Sequence, residues 1–233
     1  MQSGRKQILR PDYLGHRQRI REKYLKSGFG NWHDYEILEL ILTYAIPRKD
    51  TKPIAKALLR KFKSIRGVFD AEREELKKIN GIGTNAAVLI NLFKEVVSLY
   101  LLRDLLEQED IISSPKAVYN YLQASLRGAK DEIFKVIFLN TANRPVKVET
   151  IHIGTVNKAV VYPRKVVEHA LGNKAVSVIL AHNHPGGSLT PSEDDKNITQ
   201  VLIKALGTVD VNVLDHIIIG FEGYFSFKEH RLI

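Results

Sequence analysis

The stretch AVSVILAHNHPGGSLTPSEDDKNITQVLIKAL, residues 175–206, decides the fold. Its opening, AVSVILAH (175–182), is a continuous apolar and β-branched run, the pattern of a strand buried on both faces. Its end, SEDDKNITQVLIKAL (192–206), reads as a helix with Ser192 as N-cap and acids in the first turn, where they meet the positive end of the helix dipole. Pro185, Gly186, Gly187 and Pro191 make the connection a shaped loop that stops the strand. A buried strand that passes through such a loop into a helix is the building unit of an α/β domain. The strand's carboxyl end is where such domains commonly place their sites.

The side chains at that junction are metal-ligand types. His182 and His184 are two apart, and on an extended chain both imidazoles project to the same side. Asp195 lies one turn into the following helix and can reach the same point. Two neutral imidazoles and a carboxylate form a known catalytic zinc set that leaves a fourth position for water. A bare H-x-H also arises in loops that bind nothing, so the longer string carries the reading. A zinc deaminase needs H-x-E and a later C-x-x-C, and the chain contains no cysteine. An H-E-x-x-H helix is absent as well. Asp194 neighbours Asp195, but the spacing favours Asp195. Asp215 and His216 read as structural or ligand-orienting groups, and His152 and His169 as ordinary positions.

Outward from this segment, residues 111–233 read as mixed α/β. IFKVIFL (133–139) is a second buried strand, and VKVETIHIG (146–154) alternates like a half-exposed one. VNVLDHIIIG (211–220) and GYFSF (223–227) are later strands. Helices are expected at about 115–126, capped by Ser114 with Pro115 at its first position, and at 163–171. A central sheet with flanking helices follows. The acidic run EQED (107–110) and Ser113-Ser114-Pro115 mark a boundary. Before it, apolar residues recur at helical spacing in 35–46, 54–62 and 86–102, with breaks at Gly28, Gly30, Pro47, Gly67 and Gly81-Ile82-Gly83. The expected domains are therefore a helical one over 1–106 and an α/β one over 112–233.

Composition narrows the classes. The 233 residues are 44% hydrophobic and 26% charged, an ordinary globular balance. Without cysteine there are no disulfides, thiolate metal sites or cysteine nucleophiles, so a transition metal must be held by His, Asp or Glu. The N-terminal residues lack the apolar core of a secretory signal. No stretch approaches the roughly 18 apolar residues needed to span a bilayer. A cytoplasmic protein without a membrane partner is the expectation. The net charge of +9 is concentrated in the first 100 residues, which carry 20 Lys and Arg against 11 Asp and Glu. Such a basic face can attract phosphate backbones, or can simply be a solvated helical surface.

The junction also carries a family resemblance. His182-x-His184, seven residues, Ser192, two residues, Asp195 is the spacing of JAMM/MPN+ metalloproteases. With GTVN (154–157), YPR (162–164) and DHIIIG (215–220), the chain resembles the bacterial RadC family over about residues 12–233. It departs from the family pattern at Gly186, Ser188 and Lys165, none of them a proposed ligand. The resemblance implies a JAMM/MPN-like, cytidine-deaminase-like mixed sheet flanked by helices, preceded by an all-α helix-hairpin-helix domain. It implies one zinc ion per chain on His182, His184 and Asp195, and hydrolysis of a peptide or isopeptide bond in an unknown peptide or protein substrate. It also implies a glutamate before the first strand of this domain as general base, matched here by Glu132, with Glu149 as the weaker candidate. Ser192 would hydrogen-bond the oxyanion, a role compatible with capping its helix.

In the basic part, Leu76 to Ala86 (LKKINGIGTNA) resembles a helix-hairpin-helix motif. Gly81 and Gly83 would allow positive φ and close backbone approach. The amides opening the next helix could hold a phosphate oxygen, with Lys77 and Lys78 adding charge. DNA contact without sequence preference is one reading, protein docking the other. Trp32 and Tyr35 read as packing residues. The family association with DNA repair supplies the alternative function, in which the metal site is secondary.

Overall fold

The structure is a computed structural model that describes residues 13–111, 115–154 and 161–233. The described residues divide into two compact units, one up to residue 93 and one from residue 94. Ser114 and residues 155–157 of the GTVN string lie outside the described residues.

The first unit is helical. It comprises α1 (Tyr13–Ser27), α2 (Asp34–Ala45), α3 (Lys52–Phe62), α4 (Ile65–Asp70), α5 (Arg73–Lys77) and the start of α6 (Thr84–Glu107). Its core is built from residues at helical spacing, among them Leu38, Leu42, Ile54, Leu58, Val68, Leu76 and Ile90. The orphan carbonyls at the end of α2 are met by the buried Arg17 guanidinium, which donates to Thr43 O, Ile46 O and Lys49 O. α4 starts where Ser64 Oγ accepts the Gly67 amide. Trp32 packs edge-on against Phe29, with ring centroids 5.4 Å apart.

One expectation needs correction. The span Thr84–Glu107 is a single helix, long and apolar enough in composition to cross a membrane. Counting strictly apolar runs hid this, because Lys94 and Glu95 interrupt them. Ala86, Ala87 and Ile90 near its start lie in the first core and Leu105 near its end in a second, while Val96, Val97, Leu99 and Tyr100 between them are exposed.

The second unit is built on a five-stranded sheet of order β2-β1-β3-β4-β5. Its strands are β1 (Ile133–Leu139), β2 (Pro145–Ile153), β3 (Ser177–Asn183), β4 (Asn212–Ile219) and β5 (Tyr224–Ser226). All pairs are antiparallel except β3 with β4. A parallel pair needs a crossover, supplied by α9 (Glu193–Gly207). Helix α8 (Pro163–Gly172) precedes β3, and α7 (Pro115–Leu126) precedes β1. The fold is thus α/β, and the expected strands and helices appear within one or two residues of their sequence limits.

The two-residue period of the strands sorts side chains between two cores. On β1 and β3, Phe134, Val136, Phe138, Val178 and Leu180 pack with Ile198, Leu202 and Leu206 of α9 and Val166 and Ala170 of α8. Ile137, Leu139, Ile179 and Ala181 pack on the other face with Leu122 and Leu126 of α7. Continuing the even series from Val178 and Leu180 puts His182 on the α9 side, at the carboxyl end of the strand.

Candidate metal centre

Strand β3, the following loop and α9 bring three predicted ligands together. His182 Nε2 lies 3.0 Å from His184 Nε2 and 3.0 Å from Asp195 Oδ1. His184 Nε2 lies 3.2 Å from Asp195 Oδ2. Zinc bonds of about 2.0–2.2 Å in a tetrahedron put neighbouring ligand atoms about 3.3 Å apart. The three side chains therefore already sit at nearly the spacing a single ion imposes. His182 is fully buried, and Asp195 is 2% exposed. The His184 side chain is 13% exposed, so solvent reaches the cluster from its side.

The hydrogen bonds behind the rings select the tautomer a metal needs. Thr199 Oγ1 donates to Asp195 O at 2.5 Å, so toward His216 it acts as acceptor of the Nδ1 proton, at 2.6 Å. His216 then offers its bare Nε2 to His182 Nδ1–H at 2.8 Å. That leaves His182 Nε2 with a lone pair facing Asp195. His184 Nδ1–H donates to Ser188 O at 3.0 Å, which frees its Nε2 in the same way. Each imidazole is held by one nitrogen and presents the other, the arrangement that orients metal-ligating histidines. Burial, then the nearby His182 ring, holds the His216 imidazole well below its ordinary pKa, so it stays neutral and can accept.

The carboxylate is equally fixed. Ser192 N–H and Oγ–H both donate to Asp195 Oδ2 at 2.7 Å, and the Asp195 amide donates to Ser192 Oγ at 3.1 Å. This capping box starts α9 and anchors one oxygen, leaving Oδ1 facing His182. Burial pushes the Asp195 carboxyl up, but without a metal a proton on His182 Nε2 or His184 Nε2 would hydrogen-bond to it, and with the Ser192 donors this outweighs burial and holds the group well below the carboxylate range. The bond that a proton on His184 Nε2 would make to Asp195 raises the His184 imidazole above its ordinary value, against burial, with a smaller contribution from the Glu132 charge; a cation between the rings takes the place of that proton. A buried carboxylate facing two imidazole lone pairs needs a positive charge between them. The donor set has no sulfur, two imidazoles and one carboxylate oxygen, which fits zinc.

Glu132 sits half-buried at the last position before β1, beside the strand that carries His182, and its charge is felt at His184. Glu149, the weaker candidate, is engaged elsewhere. It forms an ion pair with His169 and accepts from Asn173 at 3.4 Å. Asp194 is exposed. His216 and Thr199 complete the support of His182. The sequence marked His216, with Asp215, as a structural or ligand-orienting group, and the structure places it behind His182. Thr199 was missed, although its place one turn beyond Asp195 was a usable signal.

In the first unit, Gly81 adopts φ +95°, and a Cβ there would lie 2.6 Å from Ile54 Cδ1. Gly83 has open space around it. Lys77 pairs with Glu74 at 3.0 Å, and Lys78 with Glu75. These contacts with Lys78 and Lys61 pull the Glu75 carboxyl down to about 2. Both lysines next to the hairpin thus have their charge balanced locally. Arg48 and Lys49, from the loop after α2, line a shallow cavity of about 810 Å³ with residues 81–86.

Comparison with known proteins agrees with this architecture. Residues 112–232 match the family model described as a RadC-like JAB domain, and residues 13–88 match the UPF0758 N-terminal model. A UPF0758 protein of Fusobacterium nucleatum subsp. nucleatum is 41% identical over 228 residues, covering 95% of this chain and 98% of that protein. A UPF0758 protein of Pseudoalteromonas translucida is 41% identical over 220 residues, covering 94% and 98%. With the JAB-type sheet, the junction ligands and near full-length relatives in agreement, the chain belongs to the RadC family, UPF0758.

Proposed function

We propose that this protein is a metal-dependent hydrolase that cleaves a peptide or isopeptide bond, with one zinc ion per chain held by His182, His184 and Asp195. The observation that carries this reading is the convergence of two correctly oriented Nε2 atoms and a buried carboxylate within 3.2 Å. Zinc at such a site polarises a carbonyl and makes water acidic near neutral pH. The chain supplies the rest. Glu132 takes the proton of the attacking water and returns it to the leaving amine, a task suited to a half-exposed carboxylate. His216 and Ser188 O keep both imidazoles in one tautomer. Ser192 holds Asp195 Oδ2, so its hydroxyl reaches an oxyanion only by turning its proton away from that oxygen.

The test joins metal analysis to turnover. Purified protein should contain about one zinc per chain and cleave members of a peptide or isopeptide-linked library. Glu132→Gln should keep the zinc and lose cleavage by about 10²–10⁴-fold. Cleavage that survives in Glu132→Gln removes Glu132 as base, and absence of zinc removes the hydrolase reading.

The cavity at the hairpin favours a second reading, in which this protein contacts DNA through its first unit. Arg48 and Lys49 would meet the phosphates, beside the amides that open α6. Binding to duplex DNA should then weaken steeply with salt and with Arg48→Ala. No measurable binding near physiological salt removes this reading.

A further inference from the structure

Strand β3 ends between its two ligand histidines, and the residue there is Asn183. It is 2% exposed. The β1–β3 ladder pairs Phe134 with His182, and beyond that pair β3 turns away. His184 N–H goes to Ile219 O on β4, and Gly187 N–H closes the turn onto His184 O. The Asn183 carboxamide takes over where the main chain leaves. Its Oδ1 accepts the Ile133 amide at 2.8 Å, and its Nδ2 donates to Asp131 O at 3.1 Å.

Those two partners belong to the two peptide groups flanking Glu132. The Asp131 carbonyl lies in the plane that sets φ of Glu132, and the Ile133 amide in the plane that sets ψ. One side chain therefore fixes both soft dihedrals of that single residue. From the opposite edge, Gly154 N–H donates to Glu132 O at 2.8 Å and holds the same backbone against β2. A carboxamide alone does this, because one arm must accept and the other must donate. Both bonds are buried or half-buried, where an unmatched partner costs most.

We propose that Asn183 is a positioning residue for Glu132, coupling the strand that carries the metal ligands to the carboxylate that acts beside them. This rests on the reading of Glu132 as general base. Alanine at 183 removes both arms and releases the chain on either side of Glu132, while His182 and His184 keep their own supports. Aspartate keeps the arm to Ile133 N–H but sets an oxygen against Asp131 O, so it should hold Glu132 less well than asparagine and better than alanine.

The experiment uses full-length protein with cobalt(II) in place of zinc, whose visible spectrum reports the coordination sphere and its surroundings. The pH midpoint of that spectrum is measured for wild type, Glu132→Gln, Asn183→Ala, Asn183→Asp and the Glu132→Gln/Asn183→Ala pair. Expected are one cobalt per chain throughout and a midpoint moved by Glu132→Gln. Asn183→Ala should move it the same way by at least half as much, and Asn183→Asp should fall between. The double variant should match Glu132→Gln alone. If Asn183→Ala titrates like wild type while Glu132→Gln shifts, the positioning role is wrong. It is also wrong if the Asn183→Ala shift adds in full to that of Glu132→Gln. Loss of cobalt in both Asn183 variants, with Glu132→Gln still loaded, assigns Asn183 to the ligands instead. A Glu132→Gln midpoint equal to wild type overturns the base reading, and a wild type without cobalt overturns the metal reading. In either case the inference falls with it.

Discussion

At the scale of single residues, the proposed metal centre would depend on groups that never touch the ion. His216 is fully buried and joins Thr199 to His182. Replacing it by phenylalanine keeps a ring of similar size but leaves His182 Nδ1 without an acceptor. Removing such a partner typically costs 10–100-fold in metal affinity. A zinc competition titration with a chelator should show a loss of about that size for His216→Phe. An unchanged affinity would mean that the His182 tautomer is set elsewhere. Glycines separate in the same manner. Gly81→Ala puts a side chain at φ +95° and against Ile54, and urea unfolding should show a loss of about 1–3 kcal/mol. Gly83→Ala meets nothing within 4 Å and should change stability by no more than about 0.5 kcal/mol. Gly83 is thus the substitution that probes DNA contact without disturbing the fold.

At the scale of elements, the strand-loop-helix unit from β3 to α9 was legible in the sequence because each part declared itself. Ser177–Asn183 is apolar throughout apart from its ends, and Ser192 with Asp195 spells the cap. The three candidate ligands were read from spacing along those elements. Which ligand each support holds was not legible, since the supports come from distant segments. His216 reaches His182 only because β3 and β4 pair in parallel with Leu180 beside His216, and no local pattern announces that register. Nothing local marks Asn183; its partner Ile133 N–H comes from β1, fifty residues earlier. The loop carries its own requirement. Gly187 has φ +78°, and a Cβ there would lie 2.1 Å from the Phe221 ring. Gly187→Ala should displace Ser188 O from His184 Nδ1 and weaken zinc binding in the chelator titration. Adding Phe221→Ala should restore part of the loss by removing the ring, leaving the backbone strain. A double variant as weak as the single one would show that the contact with Phe221 is not the cause.

At the scale of the whole molecule, charge and metal act on stability. Burial lifts the Asp215 carboxyl against its hydrogen bonds from Ser226, Lys228 and His216. A carboxyl raised in the fold loses its proton later than in the unfolded chain. Its contribution to stability therefore falls as pH rises through the raised pKa. Asp215→Asn removes that dependence. The stability of the variant relative to wild type should improve between about pH 4 and pH 7, measured by urea unfolding. A relative stability that declines over this range contradicts the assignment. The basic first unit, with +9 over residues 1–100 against +3 over 111–233, remains the part through which a polyanion would be met. The ligand cluster lies wholly within the second unit. A metal held as proposed would bind the folded cluster and not the scattered residues of the unfolded chain, so a chelator should lower the melting temperature.

The most direct measurement is metal analysis of the purified chain beside His182→Ala and Asp195→Ala. One zinc per wild-type chain, lost from both variants while each keeps its folded circular dichroism spectrum, is the expected result. Zinc retained in full by both folded variants would contradict a centre built on these three residues.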